Sequence, residues 1–183
     1  MTNTRIIQDK IAKLFSQKLR GEAKVEKEWN VARNRADNYN PQILYAPRLD
    51  VAISPFMINY VNDEEIRRLE NAFEANKQLI EKIKEERVTF EKFEYNRNPR
   101  CLIAVEIEAT GSRKHHLGDI ANASILGKIG LIVPMNEKSY RIFHRIMKYL
   151  EFAQKNNKTS NNIFKNIVLI TSDELVRLLE SMA

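Results

Sequence analysis

The fold is decided by the stretch Cys101-Leu-Ile-Ala-Val-Glu-Ile-Glu108. It opens with a purely apolar run that includes the β-branched residues Ile103 and Val105, so we predict a buried central strand. Side chains alternate across a β-sheet, which places Glu106 and Glu108 on the same face where the strand ends. This one segment therefore predicts both a sheet core and a pair of neighbouring carboxylates.

Outward from this strand, the chain alternates between helical and strand patterns. The order predicts an α/β protein with a mixed central β-sheet flanked by helices on both faces. We expect a single domain over residues 1–183, because neither a linker nor an internal repeat divides the sequence. The predicted elements are an N-terminal helix with an apolar stripe from Ile7 to Leu19, a strand-like segment from Ile43 to Ile58, a long helix capped by Asn62 or Asp63, a strand from Val88 to Tyr95, the strand already quoted, a helix that follows Gly111 and Ser112 and ends near Leu126–Gly127, a strand from Ile129 to Val133, a helix from Glu137 to Asn156, a strand from Ile167 to Ile170, and a last helix capped by Ser172.

Composition narrows the class of protein. The chain has 183 residues, 43% of them apolar, with 30 Lys and Arg against 24 Asp and Glu, a formal charge of +6 that permits an anionic partner. Its single cysteine, Cys101, excludes an intrachain disulfide and argues against a structural zinc site. The start of the chain lacks a signal-like apolar segment, and no apolar run approaches the roughly 18 residues of a membrane helix. We therefore expect a soluble, cytoplasmic protein without a membrane partner.

The carboxylates at the strand end indicate a metal site. Glu106 and Glu108 repel each other unless a cation or a proton lies between them, and Mg²⁺ or Mn²⁺ prefers such oxygen ligands. Asp50 lies inside a second apolar run, Leu49-Asp-Val-Ala-Ile53, where an unpartnered charge is costly. The alternatives are a solvated sheet edge for the two glutamates and an ion pair of Asp50 with Arg48 or Arg100.

Four of the five glycines, Gly111, Gly118, Gly127 and Gly130, surround the helix that follows this strand. We expect Gly111 to turn the chain off the strand, Gly118 to allow close packing and Gly130 to lie in a crowded strand. The first turn of the helix carries the cations Arg113 and Lys114 together with His115. Cations are disfavoured at the positive end of a helix, but they suit a bound phosphate there; the alternative is that they extend into solvent.

Asp50 on one strand followed by Glu106-x-Glu108 on a later strand resembles the PD-(D/E)XK nuclease superfamily, which has the restriction-endonuclease-like fold. The resemblance spans about Ile43 to Val133. It implies that Asp50 and Glu106 bind metal, together with the backbone carbonyl of Ile107. Glu108 occupies the position that usually holds Lys, a departure shared by some type II restriction enzymes, in which the carboxylate binds metal or takes a proton from water.

The resemblance implies a Mg²⁺- or Mn²⁺-dependent DNA endonuclease of the type II restriction-like kind, which hydrolyses phosphodiester bonds. Its implied catalytic residues are Asp50, Glu106, Glu108 and Lys114, with Lys128 as another source of the missing cation and Arg113, Lys114 and His115 on the substrate phosphate. A helix-one acid, Glu22 or Glu26, is expected to contribute, and a homodimer is one expectation because many members cut both strands. The alternatives are a non-catalytic module of the same fold that binds nucleic acid or protein, and an unrelated α/β protein in which Asp50 lies far from Glu106.

Overall fold

The computed structural model describes residues 3–31, 47–56, 62–85, 87–158 and 164–182. Helices and strands alternate over most of these ranges, as the sequence predicts. In chain order the elements are α1 (Asn3–Lys18), β1 (Val25–Asn30), β2 (Arg48–Ile53), α2 (Asp63–Lys84), β3 (Val88–Thr89), β4 (Cys101–Glu108), α3 (Arg113–Leu126), β5 (Gly127–Pro134), α4 (Glu137–Lys155), β6 (Ile167–Leu169) and α5 (Ser172–Ser181).

The strands form one six-stranded sheet in the order β1-β2-β4-β5-β6-β3. β1 pairs antiparallel with β2, and β2 pairs antiparallel with β4. β4, β5 and β6 run parallel, and the short β3 closes the far edge antiparallel to β6. The sheet is therefore mixed, which confirms the predicted α/β class.

Each face of the sheet is covered by helices. On one face Ile103, Val105 and Ile107 of β4 pack in a core with α1, α2 and α5. On the other face Ala104 packs in a core with α3 and α4, whose buried side chains include Ile120 and Phe143. Because side chains alternate, Glu106 follows Ala104 onto the face that α3 covers.

Several predicted boundaries are corrected by the structure. β4 has the predicted bounds, but the strand-like segment from Ile43 to Ile58 is a strand only over Arg48–Ile53, with 43–46 and 57–58 outside the described residues. The predicted strand from Val88 to Tyr95 shrinks to Val88–Thr89. Thr171, rather than Ser172, caps α5, because its side chain accepts from the Glu174 N–H in a capping box.

β1 was not predicted, because it lies in a polar stretch and Trp29 is its only buried residue. An edge strand with one apolar anchor lacks the alternation that identifies strands in a sequence. Among the described helices, none is long and apolar enough to cross a membrane.

Close packing of α3 on the sheet depends on Gly130. A Cβ at Gly130 would lie 2.8 Å from the backbone of Ala123 in α3, so the prediction of a crowded strand is confirmed. The packing role predicted for Gly118 is wrong, because a Cβ there would meet nothing within 4 Å. The close approach of α3 to the sheet therefore comes from the strand residue and not from the helix glycine.

Candidate functional site

Strands β2 and β4 separate at the end that carries the predicted carboxylates. Their ladder runs in register from Ile53–Ile103 to Val51–Val105. Beyond that point the backbone N–H groups of the two strands donate to side-chain carboxylates instead of to the backbone of the opposite strand. The Ile107 N–H donates to Asp50 Oδ2 at 2.7 Å, and the Asp50 N–H donates to Glu106 Oε2 at 3.4 Å. We call this opening between the two strands the fork.

Glu106 lies deepest in the fork. Its exposed fraction is 6%, and its other oxygen, Oε1, accepts from Asn122 Nδ2 of α3 at 3.3 Å. Burial raises the pKa of Glu106 well above its ordinary value, and the charges of Asp50 and Asp119 raise it further. Both hydrogen bonds are long, so they compensate only part of the cost of burying a carboxylate.

Asp50 is the second carboxylate of the fork. Burial raises its pKa to about 6 against the opposing effect of the Ile107 N–H, and the charges of Glu28 and Glu108 add to the increase. Arg48 lowers this pKa a little through its charge, but its Nε makes an ion pair with Glu28 at 3.0 Å. The alternative in which Arg48 pairs directly with Asp50 is therefore not what the structure contains.

Asp119 of α3 is a third carboxylate, which the sequence analysis missed. Its Oδ2 is buried and accepts no hydrogen bond in the described part of the chain. Burial raises its pKa to about 7, and the next largest causes are the charges of Glu108 and Asp50. A signal existed: Asp119 and Asn122 are three residues apart on the helix that follows Glu108, a spacing that places them on the same side.

Glu108 completes the group at the end of β4. Its Oε1 accepts from the Thr110 N–H at 2.6 Å, so the carboxylate folds back onto its own loop. Gly111 has φ +153, and a Cβ there would lie 3.0 Å from Glu108 Oε2. This confirms that Gly111 turns the chain off the strand. Asp50, Glu106, Glu108 and Asp119 influence one another electrostatically, and together we call them the acidic cluster.

Helix α1 reaches the fork through a glutamine rather than an acid. Gln8 is buried, and its Nε2 donates to Asp50 O at 2.7 Å and to Glu28 Oε1 at 2.8 Å. The predicted acid near the first helix was Glu22 or Glu26, and neither belongs to α1. Glu22 lies in the turn after the helix and pairs with Arg68, while Glu26 lies on β1 opposite Ala52.

Of the predicted cations, Lys128 lies away from the acidic cluster. Lys128 binds Glu70 of α2 at 2.7 Å and lies 4.8 Å from the ring of Phe73, at the opposite end of the sheet from Glu108. It therefore does not supply the cation that was predicted beside Glu108. In the first turn of α3 the side chains of Arg113, Lys114 and His115 are exposed, and Ser112 caps the helix as expected. Their contact with a phosphate remains a prediction.

The acidic cluster has the donor chemistry of a divalent cation site. Carboxylate oxygens, with the amide side chains of Asn122 and Gln8 beside them, are the ligands that Mg²⁺ and Mn²⁺ prefer. The side chains are not preset, however: within the described residues no group of three or more His, Cys, Asp or Glu is arranged to hold a metal ion. Glu108 in particular is directed to the Thr110 N–H.

Comparison with known proteins adds no relative, since no family model, curated protein or solved structure matches the chain. The function must therefore be argued from the fork itself.

Proposed function

We propose that the chain is a metal-dependent endonuclease that hydrolyses phosphodiester bonds in DNA with Mg²⁺ or Mn²⁺. The observation that carries the proposal is the acidic cluster, in which burial and mutual repulsion raise the pKa of Asp50, Glu106 and Asp119 together. Buried carboxylates in a purely structural role are normally paired with Arg or Lys. A cluster that lacks such compensation is typical of a site whose partner is a ligand.

The positions of the cluster residues support this proposal. Asp50 and Glu106 come from neighbouring strands and share hydrogen bonds across the fork, as the PD-(D/E)XK resemblance requires of metal ligands. Asp50, Glu106, Glu108 and the carbonyl of Ile107 are the groups that would hold the ion. When bound, the ion would lower the pKa of its water and neutralise charge on the scissile phosphate.

The remaining residues would take separate parts in the hydrolysis. Asp119, whose Oδ2 is buried and accepts no hydrogen bond among the described residues, would accept the proton of the attacking water. The water oxygen forms a bond to phosphorus, the bond to the leaving oxygen breaks, and that oxygen takes up a proton from solvent water. Arg113, Lys114 and His115 at the start of α3 would hold the phosphate oxygens.

A plasmid-cleavage assay tests the proposal. We expect wild type to nick or linearise DNA with Mg²⁺ or Mn²⁺ and to be inactive in EDTA. Asp50→Asn and Glu106→Gln keep the shape of each side chain but remove its charge, so each is expected to reduce cleavage at least about 1,000-fold. The matched control is Glu74→Gln, an exposed acid of α2 that pairs with Lys77. Equal cleavage by all four proteins would contradict the site assignment.

The second candidate is a non-catalytic module of the same fold that binds nucleic acid or protein. It is favoured by Glu108 at the position where the family usually has Lys, and by the engagement of Lys128 with Glu70. Calorimetry with Mn²⁺ separates the two functions. Binding at millimolar metal that disappears in Glu106→Gln supports the nuclease, whereas DNA binding without metal binding or cleavage supports the module.

A further inference from the structure

The solvent face of α4 combines cations with exposed aromatic rings. Tyr149 is 67% exposed and Phe152 is 59% exposed, although such rings are normally buried. The same side of the helix carries four exposed cations, since residues three, four, seven or eleven positions apart lie close together around a helix. We call this surface the α4 stripe; it consists of Lys138, Arg141, Arg145, Lys148, Tyr149 and Phe152.

The charge of the stripe is only partly compensated. Arg141 pairs with Glu137 at 2.7 Å and Lys148 with Glu151 at 2.9 Å. Within the described part of the chain, neither Lys138 nor Arg145 takes part in an ion pair. The stripe is therefore cationic along its length and aromatic at its C-terminal end.

The stripe begins beside the acidic cluster. The Met135 N–H donates to Glu108 O at 2.9 Å, and Asn136 and Ser139 donate to Ala109 O at 2.6 and 3.2 Å. Lys138 thus lies in a helix turn that is bonded to the residues around Glu108. From Lys138 to Phe152 the helix rises by about 21 Å, at 1.5 Å per residue.

We propose that the α4 stripe binds single-stranded DNA, with phosphates on the cations and bases stacked on Tyr149 and Phe152. Bases are free to stack on a protein ring only where they are not paired, so exposed rings favour a single strand over a duplex. The cations supply the salt-dependent attraction to phosphate. This inference deepens the proposed function, on which it rests, by naming the substrate as DNA with a single-stranded segment that leads to the fork.

Fluorescence anisotropy tests the binding without cleavage. The probes are a fluorescein-labelled 20-nucleotide oligo-dT and a 20-base-pair duplex of mixed sequence, both in EDTA. We expect the double variant Tyr149→Ala/Phe152→Ala to bind oligo-dT at least about tenfold more weakly than wild type and the duplex within about twofold. Arg145→Ala is expected to weaken oligo-dT binding several-fold. It is also expected to reduce the slope of log affinity against log salt concentration by about one.

Matched controls come from the opposite face of the sheet. Ile66→Ala removes an exposed apolar side chain from α2, and Lys82→Ala removes an exposed cation from the same helix. Both are expected to bind oligo-dT within about twofold of wild type. All the substituted side chains are exposed, so equal melting temperatures are expected to show that every variant is folded.

Three outcomes would overturn the inference: unchanged oligo-dT affinity in the double variant, an equal loss on duplex, or an equal loss in the controls. A wild-type dimer that dissociates in the double variant, with oligo-dT affinity unchanged, would assign the stripe to a second copy of the chain. Failure of the proposed function is separately visible. In that case oligo-dT still binds through the rings, but no metal-dependent cleavage occurs.

Discussion

The middle and the C-terminal end of α3 bury polar groups in opposite ways. At the C-terminal end Asn166 donates to the carbonyls of Ser124 and Gly127, both at 2.9 Å, and accepts from Ser124 Oγ at 2.8 Å. In the middle of the helix Asp119 Oδ2 is buried without a hydrogen-bond partner among the described residues, facing the charges of Glu108 and Asp50. A complete network stabilises a fold, whereas an incomplete one costs stability and indicates a place for a ligand.

The largest expected effect on stability comes from breaking the complete hydrogen-bond network around Asn166. Asn166→Ala removes a buried amide that donates to the carbonyls of Ser124 and Gly127 and accepts from Ser124 Oγ, although the Ser124 carbonyl keeps its bond from Asn96 Nδ2 at 3.0 Å. We expect the free energy of unfolding to fall by about 2 to 3 kcal/mol, measured by urea denaturation. Asn156→Ala, which removes an exposed amide that bonds only to its own helix, is the control and is expected to cost less than about 1 kcal/mol. Equal losses would mean that the buried network adds no special stability.

Removing the unpartnered carboxylate of Asp119 is expected to change the free energy of unfolding in the opposite direction. Asp119→Asn replaces a carboxyl group whose pKa is raised to about 7 by burial and by the charges of Glu108 and Asp50. A carboxyl whose pKa is raised to about 7 in the folded state, from the ordinary 3.8, contributes stability that is fully present below about pH 4 and is lost as pH rises from there through 7. In EDTA the variant is therefore expected to match wild type near pH 4 and to be more stable by about 1 kcal/mol at pH 8.

Urea denaturation at several pH values in EDTA measures this difference. Added Mn²⁺ is expected to reduce or reverse the advantage of the variant at pH 8, because only wild type keeps every carboxylate of the acidic cluster. A wild-type protein that gains stability relative to the variant as pH rises would mean that Asp119 has a cationic partner.

The smallest expected effect concerns Gly118, the residue that precedes Asp119 in α3. A Cβ there meets nothing within 4 Å, so Gly118→Ala gains helix propensity without a steric cost. We expect stabilisation by about 0.5 to 1 kcal/mol in thermal or urea unfolding. Gly130→Ala is the contrasting variant, because its Cβ would lie 2.8 Å from the backbone of Ala123. Destabilisation by both substitutions would show that Gly118 does have a packing role.

The parts of the site that the sequence predicts come from strands. Glu106 and Glu108 follow from alternation along β4, and the approach of Asp50 to Glu106 follows from the family resemblance. Asp119 and Gln8 were missed because they belong to helices, and which side of a helix faces a buried strand end is decided by packing. Glu108 shows a further limit, since a local bond to Thr110 directs its carboxylate. Arg113, Lys114 and His115 stay predictions, because a solvent-exposed first turn is compatible with either a phosphate or water.

The fork also bears on how the chain folds. β4, α3 and β5 are consecutive in the sequence, so this unit closes through short connections. The bonds that join Asp50 to Ile107 and Glu106 span 57 and 56 residues. Loop closure over such distances is slow, so we expect β2 to dock late and to bring the like charges together only at that step. A divalent cation would then slow the undocking of β2 more than it speeds the first collapse, and its effect would be greater on unfolding kinetics than on refolding.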